Sequence, residues 1–500
     1  MTAEAARVGG PVAAIGLALL LVAYRRDLRI AGLVAWALGA ATLALYLAPH
    51  GHAPLLAAAA VVGLALAAVG AAVLRRWPWV LPFAALVCVP ARIPVRVGST
   101  DANLLVPLYG VVAAAALALG YDLVRGDRRA RELGPLALPL AAFAGWTGLS
   151  LAWSQDLRQG AIELLFFFLP FGLLAVALAR LPWRREWAAR LWALLVAMAV
   201  LFAAIGVWQY ATRDVFWNPK VIVANAYAPF FRVNSVFWDP SVYGRFLVVA
   251  ILATLVLVLG GLSRRLAFAA AAAIVAIWLG LLFSFSQSSF AALVVGVLLA
   301  ASLTWRWRTA LLVAAAVAVM AVAAVAVPGL THHSLNRTSS GRSKLVTGGL
   351  AIAAHHPVTG VGVGAFVHAY ARREHIRGNH PKSAASHTTP VTVAAETGTT
   401  GLLLFAWLLA ASLALAFRRT RETAGGRAAV VFGVTLAAIA VHSLFYNAFF
   451  EDPVVWGSLG LLPLAVAARE LVSAPARPAA APPRAAVAAQ PADRTRAGAG

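Results

Sequence analysis

Apolar runs of roughly 16 to 25 residues, separated by short polar breaks, recur from one end of the chain to the other. That length matches the hydrocarbon thickness of a bilayer, where such runs form helices because each backbone N–H must find its partner within the segment. The pattern predicts about fifteen helices, near residues 8–24, 30–48, 53–74, 78–93, 103–124, 135–153, 160–180, 191–211, 240–260, 266–285, 289–304, 309–328, 391–416, 428–448 and 454–470. The first run has the length of a signal-peptide core. Arg25 and Arg26 follow it directly without a small-residue cleavage pattern, so it reads as a retained first helix. No repeat at a fixed period stands out. The reading is an all-α polytopic membrane protein of about 12–15 transmembrane helices, with a large extracytoplasmic loop before the last three.

Composition agrees with this picture and excludes a soluble domain. Of the 500 residues 62% are hydrophobic and 12% are charged, against about 25% charged in soluble proteins. The formal net charge of +23 comes from 38 arginines and three lysines against 18 acids. Taken alone it would point to nucleic acid. The basic residues cluster instead in every second loop (Arg25/Arg26/Arg29, Arg75/Arg76, Arg125/Arg128/Arg129/Arg131, Arg184/Arg185, Arg264/Arg265, Arg306/Arg308 and Arg418/Arg419/Arg421), as the positive-inside rule demands. Those loops are expected in the cytoplasm, with the N-terminus outside and the C-terminus inside, and no nucleic-acid partner is expected. The single cysteine, Cys88, permits no intramolecular disulfide.

Two segments on the opposite side are too long to be turns: about 212–239, and about 329–390, which includes "GRSKLVTGGLAIAAHHPVTGVGVGAF". Loops of that length usually carry function. The second holds Arg337, Arg342, Lys344, Arg372, Arg373, Arg377 and Lys382 against one carboxylate, Glu374, together with eight of the eleven histidines. An excess of cations calls for an anionic ligand. Gly360, Gly362 and Gly364 do not form a nucleotide-binding loop, since no Walker lysine follows and no strand precedes. They permit a sharp turn or a close backbone approach. HExxH is absent and carboxylates are scarce, so no metal site is expected. Arg232 in "FFRVNSVFWDP" and Arg342 in "SSGRSK" each carry a fork suited to phosphate. His387 stands just before a predicted helix. The aromatics between 216 and 238 form an amphipathic rim, suited to a sugar, a polyprenyl chain or the membrane interface.

At these residues the sequence resembles the O-antigen ligase and O-antigen polymerase superfamily, membrane glycosyltransferases of the GT-C type. The resemblance rests on Arg232 before "WDPSVYGRF", on "SGR" followed by "HPVTGVGVGAF", and on His387 with Gly398 and Gly401 at the spacing of the ligase motif. Thr388 stands where that motif has Asn, Ser or Gln. It implies three extra helices (1–77), a ligase/polymerase-like core (78–470), and a tail (471–500) whose Ala/Pro/Arg-rich composition reads as disordered and cytoplasmic. It implies metal-independent, inverting transfer of a polyprenyl-diphosphate-linked (undecaprenyl-type) oligosaccharide to a glycan or lipid-glycan acceptor, without a cofactor, at the outer face of the cytoplasmic membrane. Such transfer serves cell-envelope or exopolysaccharide biosynthesis. His387 would be the catalytic base, and Arg232, Arg342, Lys344 and Arg245 would bind the diphosphate. The alternative is a polytopic transporter or glycan flippase. That reading needs ionisable groups at mid-membrane, whereas Glu163, Arg245 and Glu396 all fall near the outer ends of their predicted helices.

Overall fold

The computed structural model describes the chain except residues 1, 50, 52, 98–99, 183, 217, 228–229, 305–341, 377–385, 419–423 and 474–500. The predicted helix at 309–328, the histidines and cations at 332, 333, 337, 377, 380 and 382, and the tail lie outside the described residues. Ten of the described helices are long and apolar enough to cross a membrane, and three shorter apolar ones accompany them, so the protein is a multi-pass membrane protein. In chain order the helices begin α1 (Ala3–Val22), α2 (Arg26–Leu47), α3 (Ala53–Arg76), α4 (Val80–Cys88), α5 (Val106–Val124), α6 (Ala137–Leu149), α7 (Leu157–Glu163) and α8 (Leu169–Ala179). They continue as α9 (Arg185–Thr212), α10 (Pro219–Tyr227), α11 (Pro240–Leu259), α12 (Arg264–Leu282), α13 (Gln287–Thr304), α14 (Arg342–His355) and α15 (Phe366–Arg373). The last three are α16 (Thr389–Phe417), α17 (Ala424–His442) and α18 (Pro453–Ser473).

Three features depart from the apolar-run reading. The predicted helix at 78–93 is the short α4, extended by single turns at Trp77–Leu81 and Leu86–Ala91. A β-hairpin, β1 (Ile93–Val97) against β2 (Thr100–Leu104), follows it antiparallel, with Val97 opposite Thr100. Between α7 and α8 the helix widens into a π-turn over Leu164–Phe168. Pro170 explains the widening, because it has no N–H and its ring would strike the carbonyl one turn back. The two long segments are not bare loops either, since one contains α10 and the other α14 and α15.

Small residues set how closely the first helices pack. A Cβ at Gly16 would meet backbone of Trp36 and Gly32, and one at Gly39 would meet backbone of Gly9 and Ala13. Helices α1 and α2 therefore touch backbone to backbone, the mode favoured where lipid offers no hydrophobic drive between helices. The buried core runs from α1 through α5, α6 and α8 to α18, and a second cluster joins α9, α11, α12, α13 and α17.

At the end of the bundle where Arg25–Arg29 lie, charge is buried and paired. Glu132 Oε1 accepts from Arg29 at 2.7 Å and from Arg180 at 2.5 Å. Arg180 also reaches Asp127 at 2.5 Å, and Asp127 pairs with Arg129 at the same distance. Arg29 further donates to the Arg129 carbonyl. The hydrogen bond from Arg129, helped by the nearby charge of Arg180, holds the Asp127 carboxyl well below the usual carboxylate range. Arg75 pairs with Asp122 at 3.3 Å, which ties α3 to the end of α5.

Candidate active site

The second long segment, with its glycine loop, is built against α16 and the turn after α6. Helix α16 is broken at Gly398, whose φ is +71°. A break frees the carbonyls of the preceding turn, which need partners elsewhere. The glycine loop supplies them: Val361 N donates to Ala395 O at 3.0 Å and Gly362 N to Glu396 O at 2.8 Å. Trp146 Nε1 takes Thr397 O at 2.9 Å. In return Thr399 N donates to Pro357 O at 2.7 Å. The Glu396 side chain completes the joint, accepting at Oε1 from Phe366 N, the first residue of α15, at 3.1 Å.

On its opposite face the same loop is tied to the turn after α6. Gln155 N donates to Val361 O at 3.1 Å, Val363 N to Ser150 Oγ at 3.0 Å, and Ser154 Oγ to Val363 O at 2.9 Å. Arg7 of α1 reaches the same turn, donating to Ala152 O at 2.8 Å. Gly360, Gly362 and Gly364 have φ of +65°, +94° and +75°. A Cβ on them would meet backbone of Glu396, Ser154 and Gly160 respectively. Both expectations for these glycines, turn geometry and close approach, hold at once. Gly362→Ala should destabilise the fold by about 1–3 kcal/mol of backbone strain plus the clash, seen as a lower thermal unfolding midpoint in detergent. Gly63→Ala, where a Cβ meets nothing, is the control and should not lower it.

His387 sits immediately before α16, half-buried, with φ of +59°. Its neighbours fix the segment: Thr388 N donates to Ser386 Oγ at 3.1 Å, and Ser386 Oγ lies 2.7 Å from Thr392 Oγ1. Thr389 N donates to the Ser443 carbonyl beyond α17 at 2.8 Å. Arg232 is braced by Asn225, whose side chain accepts from its N–H at 3.0 Å and donates to its carbonyl at 2.9 Å. Its Nε donates to Ser284 O at 3.1 Å, which orients the guanidinium plane. The predicted Asp-Pro helix start is observed, with Asp239 Oδ1 accepting from Ser241 N at 2.6 Å and Pro240 in the first turn of α11.

Arg342 begins α14; its side chain lies outside the described residues. Lys344 is exposed in the same first turn, which carries no acid. Cations at a helix N-terminus oppose the helix dipole, and an anion there relieves both. A Cβ at Gly349 would meet Val391, so α14 packs beside the start of α16, the helix that His387 precedes. Arg245 stands apart. It is 2% exposed and its Nε is 2.7 Å from Asp452 Oδ2, so its charge is met inside the protein. Arg92 donates to the neighbouring Glu451 carbonyl at 3.1 Å. Burial raises the Glu451 carboxyl above its ordinary range, partly offset by Arg92 and Arg245. Among the described residues no three His, Cys, Asp or Glu side chains come together as a metal site. A cavity of about 540 Å³ lined by Arg129, Glu132, Arg180 and Pro182 opens at the opposite end and is no part of this cluster.

Residues 271–406 match the family model described as O-antigen ligase. That segment is similar to the O-antigen ligase family. No curated protein matches the chain. The ligase-like segment contains Arg342, Lys344, the glycine loop, His387 and the break in α16 at Gly398, while Arg232 and Arg245 precede it.

Sequence reasoning missed His442. It lies in the apolar run at 428–448, where the run alone decides the reading. Yet it ends α17 fully buried, with Nε2 3.0 Å from Ser288 Oγ and 3.2 Å from Ser241 O. A lone ionisable group inside such a run was the available signal. Through the turn at 284–289 and through Ser443 it joins the segments of Arg232 and His387.

Proposed function

We propose that the protein transfers a polyprenyl-diphosphate-linked glycan to an acceptor hydroxyl at the outer face of the cytoplasmic membrane, as a polymerase or ligase of cell-surface or exopolysaccharide. The observation that carries this reading is the ligase-like segment, 271–406, which holds His387 at the head of the broken helix. In the proposed step His387 takes the acceptor's proton as its oxygen attacks the anomeric carbon. The bond to the diphosphate breaks on the opposite side, so the configuration inverts and the electron pair leaves with the diphosphate. Arg232 and Arg342 stabilise that departing charge, with Lys344 beside them. Arg245, held by Asp452, supports the surrounding loop and has the lesser part. No metal is required in this scheme. The aromatic side chains around Arg232, including Phe230 stacked on Phe285 at 4.9 Å, offer apolar faces to sugar or polyprenyl.

Transfer by purified protein in lipid, with polyprenyl-diphosphate oligosaccharide as donor and EDTA present, tests the proposal. Product is expected, and its length distribution distinguishes polymerase from ligase. No product with any donor or acceptor, together with movement of the lipid-linked glycan across the bilayer, would replace the proposal by the flippase reading. In the same assay Arg232→Ala should lose about 10²- to 10³-fold in turnover. Arg232→Lys should recover little, because an ammonium has neither the Nε that engages Ser284 O nor the planar fork.

A further inference from the structure

We infer that His442 is a positioning residue for this transfer, holding Arg232 and His387 in one geometry through the 284–289 turn and the Ser443 carbonyl; the inference rests on the function proposed above. The Ser241 carbonyl can only accept, so Nε2 carries the proton and the tautomer is fixed. Nδ1 is buried and finds no hydrogen-bond donor among the described residues. From Nε2 the contacts run to Ser288 Oγ at 3.0 Å, on to Ser286 Oγ at 3.1 Å, which also accepts from Ser289 Oγ at 2.8 Å. Ser286 N in turn donates to Ser284 Oγ at 3.3 Å, and the carbonyl of Ser284 receives Arg232 Nε at 3.1 Å. On the other side the next residue, Ser443, accepts from Thr389 N two positions after His387.

Three helix starts thus converge on one imidazole: α11 at Ser241, α13 at Ser288 and, one residue along the backbone, α16 at Thr389. Packing alone does not call for histidine here, because an apolar side chain of similar size fills the space at lower desolvation cost. What the imidazole adds is a donor shared between oxygens of two different helices. Its complete burial keeps it from the acceptor hydroxyl, so it acts through Arg232 and His387 rather than on substrate.

The test compares wild type, His442→Ala, His442→Gln and Ser288→Ala in the transfer assay, with initial rates over pH and thermal midpoints in detergent. Glutamine retains a donor nitrogen near the place of Nε2 but no titrating lone pair. His442→Ala should lose about 10- to 100-fold in kcat, the cost of a small misplacement of reacting groups. His442→Gln should stay close to wild type, with the shape of its pH–rate profile unchanged. Full activity of His442→Ala would overturn the inference. So would a glutamine variant as inactive as the alanine one that also loses the acid limb of the profile, because His442 would then be the base. Should the alanine chain fail to fold, Ser288→Ala decides: a lower kcat at an unchanged midpoint supports the role, and an unchanged kcat overturns it. A wild type that transfers nothing would refute the proposed function, and this inference with it.

Discussion

His387→Ala lowers glycan turnover by about 10²- to 10⁴-fold, the usual worth of a general base. The donor's KM changes little, since the base acts on the acceptor proton and not on the diphosphate. The profile of kcat against pH supplies the sharper check. In wild type the rate falls on the acid side as the base becomes protonated, and in the alanine variant that limb flattens. Retained activity with the acid limb intact would remove His387 from the chemistry. The expectation depends on how His387 is held: the Ser386–Thr392 contacts and the Thr389–Ser443 bond stay in place when the imidazole is cut away. Loss of rate without loss of fold is therefore the result to look for.

The second large effect lies at the far end of the bundle and concerns stability. Glu132→Gln removes the negative charge that two buried guanidinium groups share, those of Arg29 and Arg180, at 1% and 7% exposure. Breaking a buried pair by deleting one partner costs about 3–5 kcal/mol, because the remaining charge stays buried. Here two remain, and Asp127 can answer only Arg180. A pronounced fall in the detergent melting midpoint, with little purified protein recovered, is expected. An unchanged midpoint would mean that the network contributes nothing. The pH dependence follows from Asp127. Its carboxyl is depressed in the folded protein, so its stabilisation is complete above the ordinary carboxylate range and is lost as pH falls through the depressed value. Acid should loosen this end, and Asp127→Asn should reduce that part of the response.

Spans such as 240–260 and 53–74 were legible because a bilayer imposes one rule on every backbone amide, and the rule shows as run length. The structure returns them as Pro240–Leu259 and Ala53–Arg76. Where a second requirement competed, run length misled. The stretch at 78–93 is apolar, but Pro90 cannot extend a helix, and the chain turns there into a hairpin. The break at Gly398 was visible as a residue type; its consequence was not, because it depends on partners more than 30 positions away, such as Val361 and Gly362. In the site, Arg232 and His387 stood out by their place in long segments and by family resemblance, and the structure links their segments. Arg245 stood out by the resemblance alone, and only the fold reveals Asp452 against it. His442 was hidden by its surroundings, since an apolar run describes a helix and not what one polar member of it touches.

The break at Gly398 also orders the making of the protein. A chain inserted as it leaves the ribosome has α1 to α13 in the membrane while the glycine loop still lacks half its partners. Ser150 and Ser154 are already waiting, but the carbonyls of Ala395 and Glu396 arrive only with α16. The Ser443 carbonyl comes a further helix later, and Asp452, which neutralises Arg245, arrives just ahead of the last one. A nascent chain halted before α16 would thus hold most of its helices in the membrane while the end that bears the glycine loop is still unassembled. The arginine-rich end, with Arg29, Asp127, Glu132 and Arg180 all in the first part of the chain, closes long before. In chain order the arginine-rich end can close first, and the last three helices complete the end that bears His387.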